Sequence, residues 1–390
     1  MTPQPMTLRI GIPAAAFALF AGMVGCGEPG GQFSRRDNAL EKSIAELRIS
    51  LGEQWGEPIP GLSAAVLTNG DARVAASGSA NPPGSIKLRS NDRFHIGSIT
   101  KTFTAALIMQ LDQERLLSLE QPISRWFDYP NGDLITVAML LGHTSGVADF
   151  SESSSYTPTD SPERSVQIAA TLDPVFDPGA DWSYSNTNYI LLGLITEQVT
   201  GASWASEVAS RFLKPLGLMD TYVWTGQPHG STVQGSRLSC SGPEEPACNP
   251  PQFDLDVLPI ADGHDWTVAW AAGAMVSTPH DVARWLRALV RGDVLDEEHR
   301  LLMTTATPQS VKARALAPPF GTLRWTGNGL GLFRYEVESE GIGWGHEGLI
   351  NGFAANAIQM SERDLTVSIL SNFQMTDSFT ALGEIVAITQ

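Results

Sequence analysis

The sequence has few basic residues and no run of them. Lys and Arg number 25 against 42 Asp and Glu, a formal charge of −17, so a binder of phosphate backbones, nucleic acid above all, is not the expected class. There is no G-x-x-x-x-G-K-[ST] phosphate loop and no repeat with a period of roughly 20–50 residues, which removes nucleotide-cradling and solenoid readings. The seven histidines are scattered, without H-E-x-x-H or another compact spacing, so neither a metal site nor a cofactor is expected. What remains is an ordinary globular composition, 42% apolar and 17% charged, in a chain long enough for one large domain or two subdomains.

The N-terminal stretch "MTPQPMTLRIGIPAAAFALFAGMVGC" is of a different kind. Arg9 stands near its start, an uncharged stretch runs from Ile10 to Gly25, and Cys26 follows. That is the layout of a secretory signal, and it falls short of the roughly 20 apolar residues of a spanning helix. The small residues before Cys26 resemble a bacterial lipoprotein signal, which would make Cys26 the lipidated first residue of the mature protein. The alternative is a plain secretory signal with a chance cysteine. The expectation is an exported protein of the bacterial periplasm or cell envelope, held to the membrane by lipid at Cys26, with 1–25 the signal and the Gly-rich 26–36 a tether. Export also changes the reading of the two other cysteines. Cys240 and Cys248 lie close together in "CSGPEEPACNPP", and in an oxidising compartment they are expected to close a disulfide.

Periodicity then divides the chain. Residues 38–55 read as an amphipathic helix, and "PGLSAAVLTNGDARVAASGSAN" reads as two strands around a turn at Asn69 to Asp71. Residues 98–220 are mostly helical pattern, including "TNYILLGLITEQVTG" with Gly201 as its stop. Residues 225–268 are Gly- and Pro-rich and read as a long loop. A helix at 281–292 precedes four strand-like runs, "GLGLFRYEV", "GIGWGHEG", "GFAANAIQM" and "LTVSILSNF", and "FTALGEIVAIT" closes the chain as a helix. Strands at both ends with helices between them imply an α/β plus α architecture: one sheet built by both ends, and an inserted helical lobe at about 98–265. The junction of two such lobes is where pockets form.

Three fragments carry chemistry. "HIGSITKTFT" places Ser98 and Lys101 three residues apart as an apolar helix begins, so that they share one face of its first turn. A serine hydroxyl needs a neighbouring base to act as a nucleophile, and lysine becomes one when burial and a positive field favour its neutral form. A helix N-terminus supplies such a field and also stabilises an alkoxide on Ser98. "DWSYSNTNY" carries Tyr184 and Asn186 in a polar loop before a helix, and "GWGHEGLINGF" carries His346, Glu347 and Gly348 on a Gly-flanked strand.

In this order, S-x-x-K (Ser98 to Lys101), Y-x-N (Tyr184 to Asn186) and H-x-G (His346 to Gly348) resemble the penicillin-recognising serine hydrolases. That superfamily includes class C β-lactamases, serine D-alanyl-D-alanine carboxypeptidases and family VIII esterases. "LLGHTSG" (140–146), "YSNTNYILLGLI" (184–195) and "AAGAMVSTPHDVARWL" (271–286) extend the resemblance, which covers about 55–390. It implies a β-lactamase/transpeptidase-like fold, an antiparallel sheet flanked by helices, within one hydrolase domain at 37–390. It also implies an acyl-enzyme on Ser98 formed from a small-molecule or peptidoglycan-derived acyl substrate.

By the same resemblance Lys101 or Tyr184 takes the first proton, and Tyr184 carries protons to the leaving group. Asn186 holds the substrate amide and fixes Lys101. His346 stands where many relatives have lysine and would donate to the Tyr184 oxygen or to the substrate. The oxyanion hole would use the backbone N–H groups of Ser98 and Leu349. One departure matters: Glu347 occupies the place of the threonine that, in many relatives, helps hold a substrate carboxylate. Strand alternation puts it on the opposite face from His346 and Gly348. The first expectation is a carboxypeptidase-like or β-lactamase-like activity. An esterase or D-amino-acid amidase comes next, and a penicillin-binding sensor without turnover is the reading from another class.

Overall fold

The computed structural model describes residues 30–69, 71–82, 84–226, 232–236, 266–315 and 317–389. Cys26, Cys240 and Cys248, the signal stretch and most of the 225–268 segment lie outside them.

Seven strands form the main sheet: β1 Gly61–Thr68, β2 Asp71–Gly78, β6 Leu323–Asn328, β7 Phe333–Val337, β8 Gly341–Ile350, β9 Phe353–Met360 and β10 Thr366–Ser371. Their order is β2-β1-β10-β9-β8-β7-β6, with every neighbouring pair antiparallel. Both chain ends therefore contribute, and the β1–β10 pairing joins them. β9 and β10 are buried along their whole length, as strands must be when both faces of a sheet are covered. A small second sheet joins β3 Phe94–His95, β5 Met275–Ser277 and β4 Tyr222–Val223 in that order.

One face of the sheet is covered by the two terminal helices, α1 Gly30–Ser50 and α12 Ser378–Ile388. Leu40, Ile44, Leu47 and Leu51 recur at helical spacing in this layer, packed with Ile358, Val367, Leu382 and Ile385. α1 begins at Gly30, so residues 30–36 belong to a helix and not to the tether expected there. Once a helix is nucleated, each residue added at its end gains a hydrogen bond at little further cost, and "NALEKSIAELRIS" supplies that nucleus. The helix also stops at Ser50, before a separate 3-10 turn at Glu53–Trp55.

The other face carries the helical lobe: α2 Thr100–Gln113, α3 Val137–Leu141, α4 Pro162–Ala169, α5 Asn186–Thr200, α6 Trp204–Val208, α7 Lys214–Leu216 and α8 Trp270–Gly273, with α9 Pro279–Arg291 beside the sheet. α8 lies past residue 265 yet packs on α2 and α5, so the lobe reaches further along the chain than expected. Two helices that the sequence reading did not anticipate, α10 Glu297–Met303 and α11 Pro308–Arg314, lead back to β6.

α9 follows sequence rules closely. The Thr278 side chain accepts from Asp281 N–H, Pro279 opens the first turn, and Gly292 ends the helix at φ +96°. α2 is the element that matters for function. Eleven of its 14 residues are buried, which makes it a helix enclosed on nearly all sides. Phe103 stacks on Trp285 at 4.0 Å, and Trp285 Nε1 donates to Thr102 Oγ1 at 2.8 Å, clamping α2 to α9. The start of α2 is thus fixed between the lobe and the sheet.

Candidate active site

Ser98 lies in a single 3-10 turn, Gly97–Ile99, which runs directly into α2, so it precedes the α-helix proper. The turn needs Gly97, whose φ is +49°; a Cβ there would stand 2.9 Å from Leu349 N. On the facing strand, a Cβ at Gly348 would stand 2.0 Å from Ile96 O and 3.3 Å from Ser98 N. Glycine at both places lets the β8 backbone lie against the nucleophile turn. That contact brings the neighbourhood of Leu349 N–H beside Ser98, the pair of donors the sequence reading assigned to an oxyanion hole. Ser98 itself is partly exposed, and Leu349 is 58% exposed at the rim. β7 pairs with β8 only as far as Gly345, while β9 follows it to Ile350. The β8 edge from His346 to Ile350 therefore has no β7 partner, and this part of β8 packs against the Gly97–Ile99 turn.

Lys101 is completely buried. Its Nζ donates to Asn186 Oδ1 at 2.8 Å and to Ala272 O at 2.7 Å, and stands 2.9 Å from Ser98 Oγ. Two of these neighbours can only accept. A neutral amine has two N–H donors and one lone pair, so the lone pair falls to Ser98, the one neighbour with a proton to give. Burial lowers the Lys101 pKa from 10.5 to about 7, against the opposing charges of Asp149 and Glu347. The hydrogen-bond arrangement and the burial-lowered pKa agree on a lysine able to accept the serine proton near neutral pH.

Tyr184 enters from the loop before α5. It is half-buried, stacks on His143 with ring centroids 4.5 Å apart, and lies under Lys101 Nζ at 4.9 Å. Burial raises its phenol well above the usual value of 10, and Glu347 adds to this; a hydrogen bond with Ser98 pulls the other way. A phenolate base is thus disfavoured, while Lys101 Nζ stands within hydrogen-bond distance of Ser98 Oγ. Tyr184 remains placed to relay a proton.

His346 is buried, packed on the Phe333 ring at 4.0 Å, and 6.4 Å from Tyr184 between ring centroids. Burial, with the nearby Lys101, lowers its pKa to about 3. Its Nδ1 is 2.5 Å from Glu347 O, and a carbonyl only accepts, so Nδ1 carries the proton. Nε2 is left as an acceptor. The expected donation from His346 to Tyr184 or substrate is corrected accordingly: in this tautomer the Nε2 of the neutral imidazole accepts a hydrogen bond and does not supply a cation in lysine's place.

Two residues that the sequence reading missed hold the site. Asp149 Oδ2 accepts from both Asn186 N and Asn186 Nδ2, each at 2.8 Å, while its Oδ1 accepts from Ser151 N at 3.0 Å and Ser151 Oγ at 2.8 Å. This bond fixes the Asn186 amide with its oxygen toward Lys101. His143 Nδ1 accepts from Ser185 N–H at 3.2 Å and faces Asn188 Nδ2 at the same distance, which anchors the loop carrying Tyr184. His143 lies in the "LLGHTSG" stretch, and Asp149 follows it a few residues further along the same loop. In the structure Asp149 also caps the short 3-10 turn Phe150–Glu152.

Glu347 departs from its neighbours as alternation required. Its cross-strand partner is Asn356, whereas His346 and Gly348 face Ala357 and Ala355 in the layer beneath the helical lobe. Burial raises its carboxyl from 4.5 to about 7, offset in part by Arg314 and Lys101. Arg314, at the end of α11, rests over Trp325 at 3.3 Å and Trp182 at 4.8 Å.

A partly exposed serine beside a buried lysine, facing a tyrosine and a free strand edge between a helical lobe and an antiparallel sheet, defines a serine hydrolase of β-lactamase/transpeptidase architecture. The family model described as beta-lactamase matches residues 50–388, and the chain belongs to that family. It is 27% identical to penicillin-binding protein 4 of Amycolatopsis lactamdurans over 82% of this chain and 83% of that protein. Other curated relatives are longer, and the chain spans about half of some of them, 52% for protein flp of Staphylococcus aureus. Among solved structures it is similar to D-amino acid amidase from Ochrobactrum anthropi SV3, with TM-score 0.75 and 25% identity over 90% of this chain and 100% of that one. A D-stereospecific amidohydrolase from Streptomyces sp. gives TM-score 0.71 and 28% identity over 89% and 98%.

Proposed function

We propose that this serine hydrolase is an exported amidohydrolase, acting on D-configured acyl donors through an ester on Ser98. The observation that carries the mechanism is Lys101, buried against two pure acceptors with its third position on Ser98 Oγ. Lys101 Nζ takes the Oγ proton as Oγ bonds to the substrate carbonyl carbon. The carbonyl electron pair moves to oxygen, facing the N–H groups of Ser98 and Leu349. The tetrahedral species collapses with loss of the C–N bond, and the proton reaches the leaving nitrogen through Tyr184. Water then attacks the ester, gives a proton back along the same relay, and releases the acid with Ser98 restored.

The substrate class is supported by the two amide hydrolases among its structural relatives, both covering nearly the whole fold. The curated penicillin-binding relative favours a second reading, a carboxypeptidase that penicillins acylate. Export and a lipid anchor at Cys26 remain part of the proposal on the strength of the N-terminal sequence. Purified protein from residue 27 onward is to be assayed with D- and L-phenylalanine amide, a p-nitrophenyl ester, nitrocefin and a fluorescent penicillin, beside Ser98→Ala. Turnover of the D-amide that Ser98→Ala abolishes is the expected result. Stable penicillin labelling without amide turnover would move the assignment to the second reading.

A further inference from the structure

Tyr184 is hydrogen-bonded to Ser98, yet it lies in no regular element: residues 182–185 are irregular chain, and α5 begins only at Asn186. Its place must therefore come from bonds to its surroundings. One residue supplies them on both sides. His143 O accepts from Ser183 N–H at 3.0 Å, and His143 Nδ1 accepts from Ser185 N–H at 3.2 Å. The residue before Tyr184 and the residue after it are thus tied to the same histidine. Between those two bonds the His143 ring stacks on the phenol, with centroids 4.5 Å apart and planes 29° apart.

The neighbours of His143 fix its protonation. Val147 N–H donates to Ser145 Oγ at 3.1 Å, and Ser145 Oγ donates to Asn188 Oδ1 at 2.8 Å. That turns the Asn188 amide nitrogen toward His143 Nδ1, 3.2 Å away. Nδ1 therefore receives two N–H groups and is the unprotonated nitrogen of the ring. Burial, with the nearby Lys101 and His346, holds the imidazole well below its usual pKa, so it stays neutral. His143, Ser145 and Asn188 are all buried, and a satisfied polar chain of this kind makes a rigid mount. His143 also has φ +59°, a left-handed backbone uncommon for a residue that carries a side chain.

We propose that His143 is the positioning residue of the proton relay: it holds Tyr184 where the phenol can protonate the departing group, and so sets how basic a leaving group the enzyme can expel. This rests on the Ser98 hydrolase reading and deepens it. As Oγ bonds to the carbonyl carbon its proton passes to Lys101. On collapse the C–N or C–O bond breaks, the leaving atom keeps the electron pair and takes the Tyr184 proton, and the Lys101 ammonium restores the phenol. An amine or an alkoxide needs that proton to leave. p-Nitrophenolate leaves as a stable anion and needs none. A displaced phenol should therefore slow expulsion of the first two and spare the third.

The test measures single-turnover acylation by the p-nitrophenyl ester, the ethyl ester and the amide of D-phenylalanine. The proteins are the wild type, His143→Gly, His143→Asn and Asn188→Ala, with melting curves alongside. Glycine and asparagine both adopt the left-handed backbone, and asparagine keeps an acceptor for Ser185 N–H. His143→Gly is expected to lose roughly 10²-fold on the ethyl ester and the amide, while the p-nitrophenyl ester stays within about threefold of the wild type. His143→Asn should recover part of the loss, and Asn188→Ala should shift the same ratio by less. If His143→Gly does not fold, the ratio in Asn188→Ala decides. Equal losses on all three substrates, unchanged rates on all three, or a wild type confined to the p-nitrophenyl ester would overturn the positioning role, because packing alone does not sense leaving-group basicity. A leaving-group effect between the two esters without amide turnover would support the positioning role and remove only the amide preference. Absence of a Ser98-dependent burst with the p-nitrophenyl ester would remove the hydrolase reading and the positioning role together.

Discussion

Asp149→Asn separates an electrostatic role from a packing one. Asp149 touches neither Ser98 nor Lys101, but it holds Asn186 by two hydrogen bonds of 2.8 Å, and Asn186 holds Lys101 at 2.8 Å. Its charge raises the Lys101 pKa against the larger lowering by burial. For unit charges several ångströms apart at an effective dielectric of about 20, such an attraction is on the order of 2 kcal/mol, or one to two pKa units. Acylation needs the neutral amine, so the wild-type rate should rise with pH through an inflection near 7, the Lys101 value. Removing the charge lowers the pKa further, so the inflection in Asp149→Asn should move down by roughly one to two pH units. The plateau should fall at the same time, because the Asn186 amide is then free to turn its NH2 toward Lys101. The assay is the pre-steady-state burst of a p-nitrophenyl ester between pH 5 and 9. A lower plateau with an unmoved inflection would refute the electrostatic account and leave Asp149 with a packing role alone.

Lys101→Met should reduce acylation by roughly 10²–10⁴-fold in the same burst assay, with the circular dichroism spectrum of the wild type retained. Gly348→Ala should lose roughly 10²–10³-fold in acylation, since its Cβ would meet Ile96 O at 2.0 Å and push β8 off the Ser98 turn. Glu347 predicts a stability signature. Its folded pKa of about 7 lies above the ordinary carboxylate value of 4.5, so the folded state binds the proton more tightly than the unfolded chain. Wild-type stability should therefore fall as pH rises from 4.5 to 7, by about 1–3 kcal/mol after allowance for partial exposure, and denaturant titrations of Glu347→Gln should lack that fall.

Much of this was legible because the chemistry sits in short local motifs. Ser98, Lys101 and Tyr184 stand out by residue type and spacing, and the terminal strands by alternation and apolar runs. Alternation also gave the orientation of Glu347, because the register with β9 keeps it opposite Asn356. β6, α10 and α11 escaped because "LRWTGN" has no clean period and both helices have only seven residues. Asp149 and His143 escaped for a different reason. Their work depends on contacts with 185–188 that lie some 37 or more residues away, and nothing local in "HTSGVAD" marks them. The tautomer of His346 was equally out of reach, since it is fixed by the position of one backbone carbonyl.

The central claim is that the Ser98 hydroxyl, activated by a neutral Lys101, becomes the covalent carrier of the substrate acyl group. Peptide mass mapping after brief reaction with a slow p-nitrophenyl ester at pH 8 tests it directly. The account predicts one acyl mass on the peptide containing Ser98, diminished at pH 5 and absent in Lys101→Met. An adduct on another residue, or full Ser98 labelling in Lys101→Met, would contradict it.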